Sequence, residues 1–115
     1  MFDCGNVLII PVPFSDLSGM KQRPMIVMTP QSYMKETNGD FIAVAVTSNP
    51  LERPHSMVLA DDDLEEGRFP KLSRVRADKI FNLHRDQVKK RFGRIKKDTL
   101  LKIVRLLNHT LRGQD

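Results

Sequence analysis

Six consecutive apolar residues near the middle of the chain constrain its fold more than any other feature. Residues 41–46 read Phe-Ile-Ala-Val-Ala-Val, and they follow the turn sequence Asn38-Gly39-Asp40. Turn formers at 47–50 close the run on its other side. A short, uninterrupted apolar run between two turns is typical of a strand that is buried on both faces. The segment is therefore expected to be a central strand of a sheet.

Shorter patterns on either side of this run predict further strands, at residues 7–10, 25–29, 56–59 and 73–83. The last of these reads as two short strands or as one long bent strand. Residues 13–22 and the acidic stretch 61–67 are rich in turn formers or charges and are expected to be loops. Thr29-Pro30 favours a short helix to about Lys35, with Thr29 as its N-cap.

The end of the chain carries the clearest helical pattern. Leucine, isoleucine and valine recur at three- and four-residue spacing from 100 to 111, which predicts an amphipathic helix with Asp98 as N-cap and Gly113 as C-cap. Its apolar stripe must pack against the strands. We therefore expect a mainly β, α+β fold, a small antiparallel barrel or curled sheet covered by this helix. With 115 residues, the chain is expected to form a single domain, 1–115.

Charge is distributed unevenly along the chain. Residues 1–68 carry a net charge of −5, whereas residues 69–115 carry +10. A basic half of this density attracts polyanions, so nucleic acid is a candidate ligand. The alternative is that these lysines and arginines only keep an exposed face solvated.

Several classes of protein fit the sequence poorly. The longest apolar stretch, 7–14, is broken by two prolines and is too short to cross a membrane. It does not follow a basic segment, so it does not resemble a signal peptide. The lone Cys4 cannot form an internal disulfide, which favours the cytoplasm. The histidines lack ligand spacing and the acidic stretch lacks the calcium-loop pattern, so neither a metal nor another cofactor is expected.

Four blocks, taken in order, resemble one known family. They are 5–27, which contains Arg23-Pro24, then 45–48, which ends in Thr47-Ser48, then 73–78, and finally Phe92-Gly93-Arg94-Ile95. Each block is unspecific alone, but the ordered set spans nearly the whole chain. It is similar to the MazF/PemK family of toxin–antitoxin endoribonucleases.

This resemblance implies an SH3-like barrel that forms a homodimer. It also implies metal-independent, sequence-selective cleavage of single-stranded RNA, with messenger RNA as the target. The 2′-hydroxyl attacks and leaves a cyclic phosphate. Such a protein inhibits growth until a cognate antitoxin neutralises it.

The resemblance also assigns residues. Arg23 and Arg76 match arginines that stabilise phosphate charge, Thr47 matches a functional threonine, and Asp78 matches the probable general base. Phe14, Lys21, Ser48 and Asn49 are implied RNA contacts. Some PemK-like members carry a histidine in the first loop, and residues 13–22 contain none.

Each catalytic assignment has a simpler alternative. Arg23 could form an ion pair at the rim of the barrel. Arg76 and Asp78 could form a structural ion pair, and Thr47 could be a turn residue at a strand end. At the level of the whole chain, the alternatives are a non-catalytic toxin resembling CcdB, which binds gyrase, and a barrel that binds nucleic acid without cutting it.

Overall fold

A computed structural model describes residues 2–13, 16, 18–49 and 51–113. Within these residues the chain forms seven strands and two helices. The strands are β1 (Asn6–Pro13), β2 (Met20–Val27), β3 (Asp40–Thr47), β4 (Ser56–Leu59), β5 (Leu64–Glu66), β6 (Ser73–His84) and β7 (Lys90–Ile95). The helices are α1 (Gln31–Glu36) and α2 (Lys97–Arg112).

The described strands form one antiparallel, curled sheet in the order β4-β6-β3-β2-β1-β7-β5. As predicted, β3 lies at its centre, between β2 and β6. Alternate β3 side chains enter two cores on opposite faces, with Ala43 and Ala45 in one and Val44 and Val46 in the other. This double burial is why the sequence of β3 is continuously apolar. The predicted antiparallel barrel-like fold with a C-terminal helix is confirmed.

Helix α2 packs on one of the two cores, with Ile103 fully buried. Gly113 adopts φ 72° at the C-cap, as predicted. The predicted N-cap was wrong, because the helix begins two residues earlier, with Lys96 at the N-cap and Asp98 in the first turn. The helix start is fixed instead by Thr99, whose hydroxyl donates to Asp63 Oδ1 at 2.8 Å. In the described part of the chain, neither helix is long and apolar enough to cross a membrane.

Part of the helical stripe remains uncovered. Leu101, Val104 and Leu111 are 52%, 38% and 65% exposed. The sheet therefore buries only part of the apolar stripe that the sequence pattern predicted for α2.

Two predicted loops and one predicted cap were wrong. The acidic stretch forms a 3-10 turn, Asp61–Asp63, followed by β5, where Leu64 is buried because β5 pairs with β7. The first loop is shorter than predicted, since β1 and β2 pair as far as Pro13 and Met20. The prolines Pro11 and Pro13 are tolerated in β1 because β7 pairs with β1 only up to Ile9.

The helix α1 has Pro30 at its N-cap, and not Thr29 as was predicted. The Thr29 hydroxyl accepts a hydrogen bond from the Ile42 N–H.

Strand β6 is one long strand with a bulge. Its register against β3 pairs Ala45 with Arg76 but Val44 with Ile80. Ala77, Asp78 and Lys79 therefore form the bulge, which changes the direction of the side chains around it.

Candidate active site

Neighbouring strands bring three of the predicted catalytic residues to one cleft. The β2–β3 register pairs Met25 with Ala45, and Arg23 and Thr47 lie two residues further along their strands. Residues two apart in a strand share a face. From the other side of β3, Arg76 pairs with Ala45. Side chains of all three predicted residues line a cleft of about 680 Å³, here named the cationic cleft.

The cationic cleft concentrates positive charge. Its charged lining residues are Lys21, Arg23, Arg53, Arg76 and Lys79. Among the described residues that line it, none is an aspartate or glutamate. Five cations around one concave surface favour the binding of a phosphodiester chain.

Asp78 lies beside this cleft and is connected to it through Arg76. The Arg76 Nε and Nη2 atoms donate to the two Asp78 carboxylate oxygens at 3.1 and 2.8 Å. The arginine side chain is 17% exposed and the aspartate side chain 38%. These hydrogen bonds, with smaller contributions from the charges of Arg76 and Arg53, hold the pKa of Asp78 below its ordinary value. The carboxylate is therefore ionised across the neutral range.

Thr47 has the turn role expected of a strand-end residue, yet its hydroxyl donates no hydrogen bond within the described part of the chain. Its Oγ1 accepts from the Asn49 N–H at 3.1 Å. That bond uses an oxygen lone pair, so the hydroxyl hydrogen can still be donated to a phosphate oxygen. The turn thus orients the hydroxyl without consuming it.

The predicted RNA contacts separate into two groups. Lys21 and Asn49 line the cationic cleft. Ser48 lines an adjoining cleft of about 220 Å³, here named the second cleft, and Lys21 lines this cleft as well. Phe14 lies outside the described residues.

Sequence reasoning missed two of the cations in the cationic cleft, Arg53 and Lys79. Arg53 lies between β3 and β4, where its backbone carbonyl accepts from the Ser56 hydroxyl at 2.6 Å. The same hydroxyl accepts from Arg74 Nη1 at 3.1 Å, which ties this loop to β6. No motif surrounds Arg53. Lys79 follows the Arg-x-Asp block directly, but its position depends on the β6 bulge.

Metal ligands and histidines do not contribute to the cationic cleft in the described part of the chain. Among the described residues, no group of three or more His, Cys, Asp or Glu side chains is arranged to hold a metal. The cationic cleft has no histidine among its described lining residues. His55 and His109 stack on each other with ring centroids 5.4 Å apart.

Comparison with known families identifies the family of this chain. Residues 3–111 match the family described as PemK-like, MazF-like toxins of type II toxin-antitoxin systems. The chain belongs to this family. The resemblance inferred from the four sequence blocks is thereby confirmed. No curated protein matches the sequence.

Solved structures of this family have the same fold. A mycobacterial endoribonuclease in complex with its cognate antitoxin superposes with a TM-score of 0.76 at 20% identity, covering 96% of this chain and 95% of that one. A MazE–MazF complex from Deinococcus radiodurans gives 0.76 at 22% identity, with 99% and 98% covered. The Mycobacterium tuberculosis toxin MazF-mt6 gives 0.68 at 12% identity, with 94% and 98% covered.

Proposed function

We propose that this PemK/MazF-family toxin is an endoribonuclease that cuts single-stranded RNA at the cationic cleft. The observation that carries the proposal is the convergence of Arg23, Thr47 and Arg76 on that cleft, with Asp78 bonded to Arg76. Family membership supports it, as does the similarity to proteins described as endoribonucleases.

The proposed reaction uses the RNA's own 2′-hydroxyl. The 2′-oxygen attacks phosphorus, the bond from phosphorus to the 5′-oxygen breaks, and a 2′,3′-cyclic phosphate and a free 5′-hydroxyl result. Arg23 and Arg76 stabilise the charge that grows on the phosphate oxygens, and the Thr47 hydroxyl donates to one of them. Because the nucleophile belongs to the substrate, this scheme requires no metal.

Asp78 acts as the general base in this scheme. In the free protein its carboxylate is held by Arg76. A bound phosphate competes for the same guanidinium, which releases the carboxylate to accept the 2′-hydroxyl proton. Binding of the substrate thereby activates the base.

The leaving 5′-oxygen takes up a proton from a cationic side chain. With no histidine among the described lining residues, lysine and arginine are the available donors. An ammonium group loses a proton more readily than a guanidinium. Lys21 and Lys79 are therefore the favoured general acids.

The family is one of toxins from type II toxin–antitoxin systems. We propose that the chain acts as a homodimer in the cytoplasm, selects particular sequences in messenger RNA and inhibits growth. A cognate antitoxin would block it by laying an acidic or apolar segment over the cationic cleft. The solved complexes of relatives with antitoxins support this partner.

The proposal is tested by digesting a labelled RNA oligonucleotide with pure protein in EDTA and analysing the product ends. We expect a cyclic phosphate, a 5′-hydroxyl and no cleavage when the sugar before the cut is 2′-deoxy. Arg23→Ala should remove activity while circular dichroism shows a folded protein, and Arg105→Ala, on the exposed side of α2, should remain active. An RNA that wild-type protein binds but leaves intact would overturn the proposal in favour of a binding module.

A further inference from the structure

The second cleft differs from the cationic cleft in chemistry. Its additional lining side chains include an amide, a hydroxyl and an aromatic ring, from Gln22, Ser48 and Phe69. Lysine and arginine contribute there too, but they no longer dominate. This mixture suits an uncharged, planar group with hydrogen-bonding edges better than a chain of phosphates.

The two clefts share a ridge formed by the four residues that line both of them, which are Lys21, Arg23, Val46 and Thr47. Strand alternation separates β2 residues that line only one of the clefts, because successive side chains of a strand point to opposite faces. Along β2, Met25 lines only the cationic cleft, whereas Gln22 lines only the second cleft. A phosphate held on the ridge therefore has one cleft on each side.

The wall of the second cleft is held in place before any ligand arrives. The Ser73 hydroxyl donates to the Lys71 carbonyl at 2.9 Å and fixes the loop that follows β5. Phe69 in that loop is 8% exposed and packs on Phe92 with ring centroids 5.3 Å apart. Such a wall loses little conformational entropy on binding.

Gln22 is the side chain best suited to distinguish bases. Its amide offers both donors and an acceptor, as the edge of a nucleobase does. Within the described part of the chain, this amide makes no side-chain hydrogen bond that a ligand would have to break. Gln22 is exposed and lines the second cleft.

We propose that the second cleft binds the base of a nucleotide adjacent to the cleaved phosphodiester, and that the Gln22 amide determines which base is accepted. This inference rests on the proposed ribonuclease function. It adds that one flanking nucleotide is selected on the other side of the ridge from the cationic cleft.

The test is digestion of an RNA pool of random sequence, with sequencing of both product ends. Wild-type protein should show a base preference next to the cut. In Gln22→Ala and Gln22→Glu that preference should weaken by about tenfold or change to another base, while preferences at other positions persist. Gln31→Ala, in α1 and outside both clefts, is the matched control and should cut with the wild-type pattern.

The outcomes separate the two proposals. If wild-type protein cuts RNA and both folded Gln22 variants keep every base preference, the base-binding cleft is wrong and the ribonuclease proposal stands. A uniform loss of rate with an unchanged pattern also contradicts base recognition by Gln22. If wild-type protein leaves the pool intact, the ribonuclease proposal fails and the inference fails with it.

Discussion

Arg76 and Asp78 form a two-bonded ion pair at the bulge where β6 leaves its register with β3. These two hydrogen bonds fix the plane of the Arg76 guanidinium next to the cationic cleft. It also joins the only acidic group assigned a role in catalysis to a residue that lines the cleft. In the free protein Arg76 therefore holds the Asp78 carboxylate. In the proposed reaction the bound phosphate takes over Arg76 and leaves the carboxylate free to act as the base.

Replacing Asp78 tests its role as the base. Asp78→Asn retains the shape and one acceptor for Arg76, so the fold should persist. Because an amide cannot take the 2′-hydroxyl proton, we expect kcat/KM to fall by about 10²- to 10⁴-fold. The control is Asp62→Asn in the exposed acidic turn, which should cut RNA at the wild-type rate. Activity within a few-fold of wild type in Asp78→Asn would assign this pair a purely structural role.

The pKa of Asp78 should depend more strongly on Arg76 than on Arg53. Its pKa lies below the ordinary value of about 3.9, chiefly because Arg76 hydrogen-bonds the carboxylate. Carboxyl ¹³C NMR should show a large upward shift of this pKa in Arg76→Gln. A smaller upward shift of this pKa is expected in Arg53→Ala, because Arg53 acts on Asp78 through its charge alone. Equal values in all three proteins would contradict the bidentate contact in solution.

The sign of the pH effect on stability follows from the same lowered pKa. A carboxylate with a depressed folded-state pKa stabilises the fold above the unfolded value of about 3.9, and this contribution is lost as the pH falls through the folded pKa. Denaturation curves between pH 7 and pH 3 should therefore converge for wild type and Asp78→Asn at the acidic end. A stability difference that grows on acidification would have the wrong sign.

Salt dependence tests the two cations that sequence reasoning missed. If Arg53 and Lys79 each contact a phosphate, their replacement by alanine should lower the slope of log Kd against log salt by about 0.7 per residue. The measurement uses a 2′-O-methyl RNA, which cannot be cut. Lys102→Ala on α2 provides the control, with an unchanged slope expected. Unchanged slopes in Arg53→Ala and Lys79→Ala would place the RNA elsewhere.

The central part of the fold was predictable because its signals are local. The apolar run of β3 and the turn at Gly39 identify the sheet's centre from a few neighbouring residues. β5, at the edge of the sheet, and its neighbour β7 were missed because both are short and rich in charge, with Leu64 and Ile95 as their main buried apolar residues. Their pairing depends on long-range contacts, and short charged strands do not show strong apolar alternation.

The β5–β7 contact also makes a prediction about stability. A Cβ on Gly93 would lie 2.4 Å from the Glu66 carbonyl oxygen, and the backbone there cannot give way easily. Gly93→Ala should therefore lower the free energy of unfolding by about 1 to 3 kcal/mol, measured by urea denaturation. Gly113→Ala meets nothing within 4 Å and should cost only its left-handed strain, about 1 kcal/mol. A Gly93 variant as stable as wild type would show that the strands can separate.

Residues of the candidate site could be predicted only where they belong to a sequence motif. Arg23, Thr47, Arg76 and Asp78 belong to blocks with recognisable spacing, so they could be named from the sequence. Their convergence, however, depends on the β2–β3–β6 register and on the β6 bulge, and single-sequence patterns do not determine either. Arg53 could not have been found, because its place in the cleft depends on a loop anchored by Ser56 and Arg74.

If side chains from different strands act on one phosphodiester, Arg23 and Asp78 should be functionally coupled, and a double-mutant cycle measures that coupling. We would measure kcat/KM for Arg23→Ala, Asp78→Asn and the double variant on one RNA substrate. Each single change should lower kcat/KM by at least about 10²-fold, and the double variant should be only a few-fold slower than the worse single variant. Losses that multiply in full, or an Arg23→Ala protein that cuts like wild type, would show that these side chains do not act together on one phosphodiester.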